Sequence, residues 1–248
     1  MSQTLERALT ILGFVSEEPR HIGEIAKFLD VHHSTALRLL HSMRKYDFVY
    51  ELPNHQYRLG AAVFRLGFRA LEALDLRSIA HPFMVELNDE TSETVHLGVL
   101  EHGDVVYIDK VEAKHSVRMH SRIGAIAPLH CTGVAKGILA FMPPEQRSEL
   151  LHGQELARRT PKTIIDLDQL EADLNTARER GFARDDEENE VGIHCVSAPI
   201  FNGFGEVEGA ISLSTPTSRV DEKTLLGFVP ALRRAADRAS HELGWSPT

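Results

Sequence analysis

Cysteine and tryptophan are scarce in this chain, with two of the first and one of the second among 248 residues. Two thiols, Cys131 and Cys195, are too few for the disulfide framework of a small secreted domain, so a reducing compartment is expected. No apolar run approaches the roughly 20 residues that span a bilayer, and the first residues lack the apolar centre of a signal peptide. The expectation is a cytoplasmic protein with no membrane partner. Also missing are low-complexity tracts, internal repeats, a phosphate loop, a dinucleotide fingerprint and a nucleophile elbow. Their absence removes the usual marks of nucleotide-binding and hydrolytic enzymes. What remains is ordinary for a globular chain, 42% hydrophobic and 25% charged, enough for one large domain or two smaller ones.

Positive charge is also in deficit, at −9 overall, but unevenly. Residues 1–70 carry 9 Lys and Arg against 7 Asp and Glu, a net of +2, with five histidines; the remainder carries 18 against 29, a net of −11. The acidic part would repel a phosphate backbone and the first part would not. Within that first part, apolar residues at 22, 25, 26 and 29 mark one face of a short helix. Those at 36, 39, 40 and 43 mark a second, with a break at Asp30-Val31, which together read as a helix-turn-helix. The second helix turns Ser34, Thr35, Arg38 and His41 outward, with His33 at its start, and these groups can reach base edges and phosphates. A solvated helix face is the plain alternative. A helix over residues 3–15, striped by Leu5, Ala8, Leu9, Leu12 and Val15, precedes the motif. Strands at 48–52 and 57–59 around Pro53-Asn54 follow it as a wing that carries Arg58. Residues 61–74 read as a linker helix and a candidate dimer contact.

The second half alternates strands and helices, partly as antiparallel neighbours, which argues for an α+β sensor-like domain. Strands are expected at 94–100, 105–111, 116–119, 193–200 and 207–213. Helices are expected from His81-Pro82 to 88, over 133–141 with Thr132 as N-cap, over 166–180 with Asp166 and Gln169 as a capping pair and Gly181 as stop, and over 221–243. A period of two puts Ser212 and Ser214 on one face of their strand, and Cys195 and Ser197 on one face of the neighbouring strand. The start of the helix at Gly133 offers unpaired backbone N–H groups to an anion. His130 either lines the same cavity or merely packs. The plain alternative is that such serines satisfy backbone groups and that the cysteine is an inert small hydrophobe.

The chain resembles the IclR family of bacterial transcriptional regulators over nearly its whole length. The resemblance is carried by Ile25-Ala26, Ser34-Thr35 and Arg38-Leu39-Leu40, then by Ile123-Gly124, Pro128-Leu129-His130-Cys131-Thr132-Gly133 and Lys136. Most specific are Arg180-Gly181-Phe182, Asp185-Asp186-Glu187-Glu188, Glu190 to Ile193, Cys195, Ala198 to Phe201, and Gly209 to Ser214. It implies a winged helix-turn-helix DNA-binding domain at 1–60, a linker helix at 61–76 and a GAF-like α/β effector-binding domain at 77–248. It also implies dimers or tetramers on double-stranded operator DNA and a small organic acid as effector; no cofactor is expected, and a repressor is expected rather than an activator. The pocket it implies holds Met119, Gly133, Asp185, Cys195, Ser212 and Ser214. Residues 118–124 with 128–132 further resemble the sugar-acid-responsive subgroup, and aromatic acids stay open. One departure is Asp30 where the family usually has glycine, at a turn position that favours a left-handed backbone.

Two other classes compete. Cys195 with His194 or His130 and Asp185 has the residue types of a cysteine hydrolase, but His194 and Cys195 are adjacent on a strand and point apart. A metal- or redox-responsive regulator could sense through Cys131 and Cys195 with His130 and His194, though no metal-ligand spacing is present and no metal is expected.

Overall fold

The structure, a computed structural model, describes residues 3–72, 75–115 and 121–246. It divides into two compact units, Met1–Ala73 and Leu74–Thr248. The first unit runs α1 (Gln3–Glu17), β1 (Arg20–His21), α2 (Ile22–Phe28), α3 (His33–Lys45), β2 (Val49–Glu51), β3 (Gln56–Leu59) and α4 (Ala61–Glu72). Its core is the meeting of three apolar stripes. Ile11 and Val15 of α1, Ile25 and Ala26 of α2, and Ala36, Leu39, Leu40 and Met43 of α3 are buried together with Val49 and Tyr57 of the wing. Leu5 and Leu9, expected to face inward, are exposed, because the core closes over only the C-terminal part of the α1 stripe. Asp30 adopts a φ of 50° between α2 and α3, the left-handed conformation its position demands. The wing has three antiparallel strands in the order β1-β3-β2, one more than expected, since Arg20 and His21 pair with Tyr57 and Gln56.

The second unit continues with α5 (Asp75–Thr91), β4 (Thr94–Glu101), β5 (Asp104–Val111), β6 (Ile126–Ala127), α6 (Gly133–Leu139), α7 (Pro144–Leu151) and α8 (Leu167–Arg180). It closes with β7 (Ala183–Asp186), β8 (Ile193–Phe201), β9 (Val207–Pro216), α9 (Glu222–Gly227) and α10 (Val229–Glu242). Six antiparallel strands form one sheet in the order β6-β5-β4-β9-β8-β7. The small helix α6 packs on one face, over β8 and β9, with α8 beyond it; α5 and α10 pack together on the other. Gly137 is what lets α6 lie so close, because a side chain there would collide with Ser197.

Several expectations are corrected here. Helix α5 starts at Asp75 and carries Pro82 in its interior, so the proline did not mark a helix start. The expected single closing helix is two, broken at Phe228, with Pro230 in the first turn of α10. Thr132 has N-cap backbone angles, but its hydroxyl donates back to the Pro128 carbonyl at 2.8 Å and caps nothing. Asp166 does cap α8, accepting from the Gln169 N–H at 2.9 Å, and Gly181 ends that helix at a φ of 81°. The strand expected at 116–119 falls at positions outside the described residues.

One irregularity positions the site. Between β4 and β5 the register shifts, so that Leu97 faces Asp109 and Gly98 faces Tyr107, leaving Ile108 as an extra residue. This bulge reverses the alternation. Tyr107 and Lys110, three apart, thereby share the α6 face of the sheet, while Asp109 lies on the α5 face and accepts a hydrogen bond from His81 at 2.6 Å.

Candidate functional site

On the first unit, the outward face of α3 carries His33, Ser34, Arg38 and His41, all exposed, with Thr35 half-buried above Ala36. His32 sets the start of this helix, its ring nitrogen lying 2.9 Å from the Ser34 hydroxyl and accepting from the Ser34 N–H at 3.4 Å. The Arg38 guanidinium makes no hydrogen bond or ion pair among the described residues, so it is available to an external acceptor. Arg44, one turn and a half further on, is instead tied to Glu51 of the wing. Arg58 is exposed on β3, where its guanidinium lies 4.8 Å over the Tyr50 ring and donates to the Leu59 carbonyl at 2.9 Å. Six candidate residues thus lie on one helix face and one wing strand. A net-positive module with free donors on a helix of groove-filling width is suited to a nucleic-acid backbone and its base edges.

On the second unit, a cavity of about 250 Å³ opens between the α6 face of the sheet and the loop after β7. Cross-strand pairing builds its floor. Asp185 faces Cys195, Cys195 faces Ser214, and Ser197 faces Ser212 across three adjacent strands. Gly133 sits directly over that floor, where a side chain would come within 2.8 Å of Cys195 Cβ and 3.2 Å of Ser212 Oγ. Gly133, Asp185, Cys195, Ser212 and Ser214 all line the cavity. His130 does not; it is buried with its Nε2 at 3.0 Å from the Ala157 carbonyl. Met119 lies outside the described residues. Sequence reasoning missed His96, Tyr107, Ser121, Arg159 and Asn189 in the lining. His96 could have been found from its parity with the other inward residues of β4, whereas Tyr107 required knowledge of the bulge.

The groups under this cavity are electrically organised. Lys136 of α6 is fully buried and reaches both oxygens of Glu188, at 2.7 and 2.8 Å, and Asp173 at 2.8 Å. Burial works against its charge, but the Glu188 and Asp173 carboxylates outweigh that and hold it above its ordinary value. Asp185 is buried above them and accepts the Glu188 N–H at 2.7 Å. Burial, followed by the Glu188 charge, pushes its carboxyl up to about 7. Cys195 is raised well above the ordinary thiol range by burial and by Asp185, and burial with Asp185 pushes Cys131 up to about 12. Protonated thiols of this kind are poor nucleophiles and poor redox sensors. Among the described residues no three His, Cys, Asp or Glu side chains are placed to hold a metal ion.

Residues 4–53 match the IclR helix-turn-helix domain, and residues 68–241 match the bacterial transcriptional regulator IclR C-terminal domain. The chain belongs to the IclR family. The HTH-type transcriptional regulator KdgR of Escherichia coli K12 is 37% identical over 247 residues, covering 98% of this chain and 94% of KdgR. The crystal structure of Thermotoga maritima IclR superposes with a TM-score of 0.84 at 34% identity, covering 98% of this chain and 99% of that one. An IclR homologue from Microbacterium hydrocarbonoxydans, solved as a complex with 4-hydroxybenzoate, gives a TM-score of 0.85 at 26% identity over 97% of this chain and 99% of that one. This IclR-family chain is therefore a DNA-binding transcriptional regulator, with an N-terminal helix-turn-helix and a C-terminal α/β domain.

Proposed function

We propose that this regulator represses transcription by binding an inverted-repeat operator as a dimer or tetramer, and that a small organic acid in the C-terminal cavity controls that binding. On this reading α3 enters the major groove, Arg38 contacts a guanine, His33, Ser34, Thr35 and His41 contact phosphates or neighbouring bases, and Arg58 approaches the backbone. The acid binds one arrangement of the oligomer more tightly than another and shifts the population between DNA-competent states. The linker segment, residues 61–76, carries the coupling.

The observation that supports the effector half is the cavity itself: a space lined by side chains from separate strands, with polar groups that converge on it. Its donors suit a carboxylate, since Arg159 is cationic and burial holds the Tyr107 phenol protonated. Asp185 and the serine hydroxyls suit the hydroxyls of the same ligand. A sugar acid and a hydroxylated aromatic acid both meet that description, and the relative that holds 4-hydroxybenzoate supports the class. The test is a mobility-shift assay on DNA flanking the gene, repeated with a panel of small carboxylates. Binding that is specific, falls with salt and is altered by one of those acids is expected. Equal affinity for promoter and random duplex at low ionic strength would refute the DNA half. Ser214→Ala is expected to spare operator binding and blunt the acid response.

A further inference from the structure

The cavity floor holds a continuous line of polar groups that pairwise contacts conceal. From the buried end, Cys195 Sγ donates to Asp185 Oδ2 at 3.6 Å, and Ser214 Oγ donates to Cys195 Sγ at 3.1 Å. Ser214 Oγ then lies 3.4 Å from His96 Nδ1, and His96 Nε2 lies 2.6 Å from Ser121 Oγ. Five residues from five separate segments form one chain, and both ends line the cavity.

Its direction follows from proton counting. An ionised carboxylate only accepts, so the single thiol proton of Cys195 points to Asp185. The Ser214 proton points to Cys195, which leaves Ser214 Oγ as an acceptor toward His96. His96 must then carry its proton on Nδ1 and accept on Nε2, because burial, with Lys110 adding to it, pushes the ring down to about 3 and keeps it neutral. The Ser121 proton is drawn to His96. Ser121 is held in place by its backbone as well, its carbonyl accepting from Lys110 Nζ at 2.9 Å.

We propose that His96 and Ser121 are specificity residues of the cavity, because a one-way hydrogen-bond chain ending on Asp185 leaves the Ser121 oxygen as an acceptor and so selects ligands that bring a hydroxyl donor to it. This rests on the cavity being the effector site. The chain also has a reverse setting. With a proton on Asp185 every bond turns round, His96 becomes the Nε2–H tautomer, and Ser121 offers its proton to the ligand instead. The groups that face Asp185 are Glu188 on its own turn, Lys136 of α6, Cys195 of β8, Tyr107 of β5 and Cys131 before α6. Glu188 stays bound to Lys136, and the thiols and phenol stay protonated, so Asp185 is the group that turns the chain near neutrality.

The experiment reads the ring nitrogens of His96 by ¹⁵N NMR in the full-length protein without ligand, the signal being assigned by its loss in His96→Gln. The Nδ1–H tautomer is expected at about pH 8.5, giving way to Nε2–H toward about pH 5.5 as Asp185 takes up its proton. Asp185→Asn is expected to show the Nε2–H form throughout. Its amide oxygen must keep the Glu188 N–H, which turns the amide NH₂ toward Cys195. Ser214→Ala cuts the chain beside His96 and is expected to abolish the pH response. The Nε2–H form in the native protein at high pH, or a tautomer unmoved by pH, overturns the proposal, and that reading stands even if the Asn variant does not fold. Selectivity is read with gluconate against hexanoate, six-carbon acids with and without hydroxyls. Gluconate is expected to bind about tenfold tighter or better, the factor one neutral hydrogen bond supplies, and the preference is expected to narrow in Asp185→Asn. Equal binding overturns the selectivity. If neither acid binds, the sugar-acid form of the effector reading fails, while the ligand-free NMR result still decides the chain.

Discussion

The two units put their working side chains in opposite physical settings. On α3 the groups proposed to meet DNA are exposed apart from the half-buried Thr35, and Arg38 is held by no neighbour among the described residues; in the C-terminal cavity the corresponding groups are buried and bonded to one another. A surface that meets a polyanion needs donors left available, and water solvates them cheaply until the partner arrives. A cavity that recognises a small molecule must hold polar groups away from water, and each must be satisfied before the ligand enters. Substitutions in the head should therefore change binding and little else, whereas substitutions in the cavity should change stability and pH response as well.

The sharpest break in that contrast is Lys136→Met. Removing the ammonium leaves Glu188 and Asp173 facing each other without their shared cation. A loss of about 3–5 kcal/mol is expected in urea denaturation. Next comes Asp185→Asn. Folding raises this carboxyl from its ordinary 3.8 to about 7, so the native state favours its proton. Its contribution is complete below pH 3.8 and is lost as pH rises through 7. The variant should therefore be more stable than the native protein at pH 8, by up to about 4 kcal/mol, and no more stable at pH 4. Thermal melts at the two pH values check this. Arg38→Ala is expected to weaken specific operator binding by about 1–3 kcal/mol while shifting stability by no more than about 0.5 kcal/mol. Arg58→Ala should have the smallest effect, weakening all duplexes alike and reducing the salt slope by about one. A stability loss from Arg38→Ala as large as that from Lys136→Met would erase the distinction between the units.

The same contrast explains what could be read in advance. The helix-turn-helix was legible because its inward positions, Ala36, Leu39 and Leu40, recur at helical spacing, and the outward ones follow by subtraction. The left-handed turn at Asp30 was legible only through the family resemblance, since glycine is usual at that position. In the cavity, Ser212, Ser214 and Cys195 could be placed on strand faces by their period of two. That β8 and β9 are neighbours could be read, but not that β4 and β7 flank them, and so the line from Asp185 to Ser121 was invisible. Strand β7 was missed because Ala183-Arg184-Asp185-Asp186 has no apolar alternation, its inward Asp185 being a buried carboxylate. Pro82 misled in the other direction, since a proline inside a helix and one at its start look alike in a string of letters.

The extra residue at Ile108 has a further meaning. It works as a phase shifter in an otherwise two-beat strand: delete that single position, and the beat of everything beyond it is restored, swapping Tyr107 against Lys110. Exchanges of one side chain for another can retune what this chamber recognises, but a change of length in β5 would scramble it. Variation in ligand preference on this scaffold should accordingly be written in residue identity, with the count of residues in that strand held constant.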